Sequence, residues 1–138
     1  MKPEHGIRYV FRDDSTPKPL AEDVRIVLFQ SVRELVTNAI KHARAQEVAL
    51  DIVRFRDSIR ITVADDGVGF NATSVLAAPS RSRGFGLFNI QEWLDFVGGT
   101  LDVDSRAGRG SRFTLVAPLE MQGPIAKEAH DDDQNLVG

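Results

Sequence analysis

The chain of 138 residues contains no cysteine. Disulfides, thiolate nucleophiles and cysteine-ligated zinc are therefore excluded. No apolar run reaches the roughly 20 residues that a membrane-spanning helix requires, and no signal-peptide pattern is present. A cytoplasmic domain without direct membrane contact is expected. There is no large charge excess either: 17 Lys and Arg stand against 20 Asp and Glu, for a net charge of -3. Such a chain is a poor nonspecific binder of nucleic acid, and no nucleic-acid partner is expected, although a local basic site is still allowed. The common nucleotide and catalytic signatures are missing as well. No GxxxxGK[ST] loop occurs, no glycine pair continues to GxGxxG after the first strand, and neither HExxH nor a kinase HRD/DFG set is found.

The length allows one domain with a sizeable core, and an apolar content of 42% is normal for a globular protein. Residues 1–6 are polar and hold Pro3 and Gly6, so they read as a flexible start. Residues 7–118 carry the regular patterns. Residues 119–138, with Gly123, Pro124 and the run Asp131, Asp132, Asp133, read as a disordered acidic tail. Within the patterned part, residues 7–12 predict a strand and 21–44 a long helix whose apolar stripe is Leu28, Val32, Leu35, Ala39 and Ala43. Residues 47–54 and 59–65 predict two strands joined by a hairpin turn. A helix is expected over 86–97, with Leu87, Ile90, Leu94 and Val97 inside and Gly98-Gly99 ending it. Residues 100–104 and 111–117 predict the last strands. The alternation points to an α/β fold with helices packed on a mixed sheet.

The long helix has a chemical face. Glu34, Asn38 and Lys41 are spaced four and three apart and point the same way, with His42 at the margin. An asparagine oxygen is a hard ligand suited to Mg²⁺, Lys41 can neutralise phosphate, and Glu34 can accept a proton. A solvated helix face accounts for the same pattern. Downstream come three glycine pairs, each with one residue between. Gly67 and Gly69 follow Asp65-Asp66 at a strand end, where Asp65 can accept a hydrogen bond from the amine of adenine and Asp66 is expected to point outward. These glycines would let the backbone pass close to a flat base, although an ordinary Asp-Gly turn has the same composition. Gly84 and Gly86, beside Arg81 and Arg83, precede a helix whose first amides could meet phosphate. The small, polar stretch 70–83 could act as a lid, or be a plain surface loop. Gly108 and Gly110 sit in a turn ahead of Ser111, where Gly110 could allow close approach to a nucleotide. Phe113 reads as core.

Taken in order, ELVTNAIKHA, DDGVGF, RGFGLFNI and GRGSRFTL resemble the ATP-binding catalytic domain of bacterial sensor histidine kinases, within the ATPase superfamily shared with gyrase B, Hsp90 and MutL. The resemblance spans roughly residues 7–118. It implies a two-layer α/β sandwich of the Bergerat type that binds ATP with Mg²⁺. Glu34 matches the catalytic glutamate and Asn38 the Mg²⁺ ligand, while Lys41 and His42 match a phosphate-facing basic pair. Asp65 matches the adenine-binding aspartate, with Gly67 and Gly69. Arg83, Gly84, Gly86 and Leu87 match the second glycine box, and Gly108, Gly110 and Ser111 the last, where threonine is more usual than Ser111. The short gap between Gly69 and Gly84 points to the subgroup with a compact lid. The implied partners are a phosphoacceptor and dimerisation domain and, indirectly, a response regulator. His5, His42 and His130 do not fit a phosphoacceptor helix. The chain is thus expected to be a catalytic domain alone, monomeric, and unable to complete autophosphorylation by itself. Two alternatives remain: a Ser/Thr kinase of the anti-sigma-factor type, which shares the fold, and an interaction module that has lost nucleotide binding.

Overall fold

The computed structural model describes residues 7–41, 43–71 and 86–120. Strand β1 (Arg8–Asp13) leads into helix α1 (Glu22–Lys41), followed by β2 (Glu47–Phe55) and β3 (Ser58–Asp65). Helix α2 (Leu87–Val97) precedes β4 (Thr100–Ser105) and β5 (Ser111–Pro118). The five strands form one sheet in the order β1-β2-β3-β5-β4. Only β1 and β2 are parallel, since they are joined through α1; the other neighbouring pairs are antiparallel. This is the mixed sheet with a helical layer that the alternation of patterns predicted.

The period-two patterns explain how the layers meet. In the β3–β5 pair, Ile59, Ile61 and Val63 lie opposite Ala117, Leu115 and Phe113. All six are buried, because this row faces the helices. Helix α1 answers with Val24, Val27, Leu28, Leu35 and Ala39, and α2 with Leu87, Ile90, Leu94 and Val97. Burial of Ser31 in the same stripe is tolerated because its hydroxyl donates to the Val27 carbonyl one turn back, at 2.8 Å.

Most element ends shift by one residue from the sequence reading, and three departures stand out. Helix α1 stops at Lys41, so Ala43 lies beyond it. Strand β4 runs one residue further, through Ser105. Leu119, assigned above to the tail, is buried; its N–H donates to the Asp57 carbonyl and its own carbonyl accepts from Ala21 N–H. The ordered domain therefore extends past Pro118. Residues 1–6 and 121–138 lie outside the described residues.

Helix α2 ends as its glycines require. Gly98 is left-handed, with φ 80°, and Gly99 N–H reaches the Leu94 carbonyl at 2.7 Å. The loop after β1 is stapled down by charge. Lys18 bridges Asp13 and Asp14 at 2.5 Å each, and Asp14 accepts from Arg54 N–H of β2. The Lys18 hydrogen bond holds both carboxyls below the usual carboxylate range. None of the described helices is long and apolar enough to cross a membrane.

Candidate functional site

The helix-facing rows of β3, β5 and β4 are apolar for most of their length and then turn polar together. The step after Val63 and Phe113 is Asp65 opposite Ser111, and the step after Val103 is Ser105, also opposite Ser111. Three strands therefore deliver Asp65, Ser111 and Ser105 to one end of the core. A narrow cleft opens there, lined among others by Asn38, Asp65, Gly69, Ser111 and the rings of Phe70 and Phe113. The two rings lie 6.2 Å apart, centroid to centroid. Apolar walls with a few converging polar groups suit a flat heteroaromatic ligand.

Asp65 is half-buried and asymmetric. Its Oδ1 accepts from Gly67 N–H at 2.8 Å. Its Oδ2 takes no hydrogen bond from the described residues. Burial pushes this carboxyl above the usual aspartate range; the Gly67 bond opposes the shift and the neighbouring Asp66 charge adds to it. Asp66 is exposed, but it does not simply project into solvent. Its Oδ1 accepts from the N–H groups of Gln46 and Glu47, at 2.8 and 2.9 Å, and pins the entry to β2.

Asn38 is only 7% exposed and lines the cleft from α1. Glu34, one turn earlier, lies against Gly86 at the start of α2: a Cβ on Gly86 would fall 2.3 Å from Glu34 Oε1. Lys41 occupies the last turn of α1, is exposed, and is not part of the cleft lining. The predicted one-sided face thus divides into a buried asparagine in the cleft, a carboxylate against α2 and an exposed lysine outside the lining. Leu87 belongs to the core, with its side chain fully buried, and can contribute only its backbone to a ligand. His42, Arg81, Arg83 and Gly84, together with residues 72–83 of the expected lid, lie outside the described residues.

Gly67, Gly69 and Gly110 are also required by the packing of the protein's own backbone. A Cβ on Gly67 would meet the Ala43 carbonyl at 2.3 Å; on Gly69, the Arg106 carbonyl at 2.1 Å; on Gly110, the Asp65 carbonyl at 2.2 Å. These close approaches are to the protein's own backbone. They draw the end of α1, the β3 exit and the β4–β5 turn together around the cleft, and Val68 N–H to Ala43 carbonyl at 2.8 Å closes the same knot.

Ser105 and Val68 were not picked out from sequence. Val68, 51% exposed, lines the cleft mouth. The signal for Ser105 was its phase: Leu101, Val103 and Ser105 share one face of β4, and a serine in that row has to find partners inside.

Residues 23–121 match the family described as histidine kinase-, DNA gyrase B- and HSP90-like ATPases. The chain belongs to this family. It is an ATP-binding catalytic domain of the sensor histidine kinase type. An uncharacterized sensor-like histidine kinase of Chloroflexus aurantiacus is 40% identical over 102 residues, covering 73% of this chain and 17% of that protein. The histidine-protein kinase/phosphatase DegS of Bacillus subtilis is 29% identical over 102 residues, or 74% of this chain and 26% of its own. The sensor histidine kinase DesK of the same organism is 29% identical over 112 residues, 81% of this chain and 28% of its own. The chain spans between about a sixth and just over a quarter of the length of these relatives. Among solved structures, the blue-light activated histidine kinase of Erythrobacter litoralis superposes with a TM-score of 0.69 at 24% identity, over 85% of this chain and 36% of that one. Full-length ShkA in complex with AMPPNP also gives 0.69, at 26% identity, over 86% and 27%.

Proposed function

We propose that this domain binds Mg²⁺–ATP in the Asn38–Asp65–Ser111 cleft and that, in its parent kinase, it passes the γ-phosphate to a histidine on a separate dimerisation domain, from which a response regulator is served. The observation that carries the reading is that Asn38 of α1 and Asp65 of β3 line one cleft although they come from different layers. The AMPPNP complex of ShkA, a structure of the same fold, supports it.

The adenine ring enters between the apolar walls, and its exocyclic amine donates to Asp65 Oδ2. Gly67 holds the other carboxylate oxygen, so the acceptor is oriented before the base arrives. The residues present fit a magnesium ion. Among the described residues no group of three or more His, Asp or Glu side chains could cage a metal, yet Mg²⁺ prefers one or two protein oxygens plus phosphate oxygens. Asn38 would supply a neutral oxygen to it, and the ion would offset the charge on the phosphates. Lys41 and His42 supply positive charge at the phosphate end. Backbone amides at the start of α2, with Arg83, Gly84, Gly86 and Leu87, complete the phosphate side of the proposed set. Glu34 takes the proton that the acceptor imidazole loses as its nitrogen attacks the γ-phosphorus and ADP leaves, directly or through water.

Calorimetry with ADP and a nonhydrolysable ATP analogue tests the first half: a folded sample that binds neither at millimolar concentration refutes it. The second half is tested by supplying the phosphoacceptor domain in trans and following labelled γ-phosphate. Acid-labile, base-stable label on that domain is expected for phosphohistidine. Transfer to a serine-bearing partner instead would assign the chain to the anti-sigma-factor type.

A further inference from the structure

Ser105 stands directly behind the cleft, 7% exposed, and its hydroxyl touches three groups that shape the cleft. It accepts from Phe70 N–H at 2.9 Å. It lies 3.1 Å from the Gly110 carbonyl, to which it can donate. It lies 2.7 Å from Ser111 Oγ. Ser111 is equally buried and lines the cleft; Ser105 does not.

A hydroxyl has one proton and two lone pairs. A carbonyl can only accept, so the contact with Gly110 requires the Ser105 proton. The contact with Phe70 requires one Ser105 lone pair. The remaining contact then has one solution: the Ser111 proton goes to the second lone pair of Ser105. All three contacts are satisfied only in this arrangement, which is the one a buried site favours. Ser111 is thereby left with lone pairs and no proton to offer the cleft. Asp65, the other polar group on this strand row, is a carboxylate and also accepts.

We infer that Ser105 is a positioning residue for base selection, which by holding the Ser111 proton makes Ser111 an acceptor and biases the cleft toward a base carrying an exocyclic amine and against one carrying an oxo group. The inference rests on the nucleotide reading above. Position 6 of the base is placed against Ser111: an amino group there donates to it, whereas an oxo group brings lone pairs and meets no proton, although the oxo base carries a donor at N1 where the amino base accepts.

The test compares ADP with inosine diphosphate, which replaces the amine by an oxo group, on the 138-residue chain by calorimetry. In Ser105→Ala the Ser111 hydroxyl is released to turn and donate. The preference for ADP over inosine diphosphate is expected to fall by roughly 3- to 10-fold, the value of one neutral hydrogen bond. Ser105→Thr, which retains the hydroxyl, is expected to keep the parent preference. A Ser105 that only supports the fold would weaken both nucleotides by the same factor in Ser105→Ala, and that result overturns the inference while ADP binding by the parent stands. If Ser105→Ala does not fold, Ser105→Cys, of similar shape but weak hydrogen bonding, decides by the same ratio. Failure of the parent chain to bind ADP at all would remove the nucleotide reading itself, a distinguishable outcome.

Discussion

Gly108 and Gly110 form a matched pair whose substitution separates backbone strain from steric conflict. Both are left-handed, with φ of 80° and 77°. An alanine at either position incurs the left-handed penalty of about 1–2 kcal/mol. Beyond that the sites differ. A Cβ on Gly108 meets nothing within 4 Å, whereas one on Gly110 falls 2.2 Å from the Asp65 carbonyl oxygen. Ordinary contact begins near 3.4 Å, so the two backbones must part by about 1.2 Å. Neither is the free end of a side chain. Both lie where Asp65 and Ser111 are register partners, and separation there forfeits ladder hydrogen bonds worth about 1 kcal/mol each. Gly108→Ala is therefore expected to cost about 1–2 kcal/mol with ADP affinity unchanged. Gly110→Ala should cost about 3–4 kcal/mol, the strain plus roughly two hydrogen bonds, and should abolish tight ADP binding because Asp65 and Ser111 move apart. Urea unfolding and calorimetry on the two variants measure both quantities. Equal losses of stability, or normal ADP affinity in folded Gly110→Ala, would refute the claim that this glycine serves the packing of the cleft wall.

Asp65→Asn should weaken ADP binding by roughly 10- to 150-fold, the value of a charge-assisted hydrogen bond of about 1.5–3 kcal/mol; Asp66→Ala should instead lower the urea midpoint and leave calorimetric affinity intact, because Asp66 holds the β2 entry. Asn38→Ala should reduce binding of Mg²⁺–ATP much more than metal-free binding of adenosine, and Glu34→Gln should spare binding while depressing transfer in the trans assay; normal transfer by both variants would remove these assignments. Because burial raises the Asp65 carboxyl above the ordinary aspartate range, ADP affinity should begin to fall with acid at a higher pH than an exposed aspartate would give. Over the same interval, protonation relieves the cost of burying the charge, so the Asp65 contribution to folding becomes more favourable as pH falls. Asp65→Asn should abolish both trends, and an affinity flat down to the ordinary aspartate range would contradict the assignment.

The fold was legible where burial imposes a period. The alternation in β3 and β5 and the three-four spacing in α1 and α2 mark their buried faces, and Gly98-Gly99 marks the α2 terminus. The candidate site was legible in part from residue chemistry: Asp65 stands at the end of an apolar strand, and Asn38 stood out on the polar face of the long helix, though its burial beside Ala39 did not. What was not legible depended on contacts between segments distant in sequence. Nothing adjacent to Asp66 reveals that its carboxylate caps Gln46 and Glu47. Nothing local to Gly69 or Gly110 reveals that each is pressed against another backbone segment. Leu119 looked like tail because the partners of its backbone, Asp57 and Ala21, are remote in the chain.

That distinction bears on how the cleft works. Several groups proposed to touch the nucleotide take their positions from contacts outside the cleft lining. They are held by a layer behind them, made of positions where side chains are absent or small. Gly67 lets the β3 exit close against Ala43, Gly69 and Gly110 let the β4–β5 turn close against that exit, and Ser105 ties Phe70 to Ser111. Asp65 consequently keeps one oxygen engaged by Gly67 and presents the other, an arrangement set before any ligand arrives. Because that oxygen is already oriented, less ordering is left to the binding step itself. The apolar row of β3 and β5 carries this arrangement in register from the core to the cleft, so the same alternation that buries Ile61 and Val63 also aims Asp65.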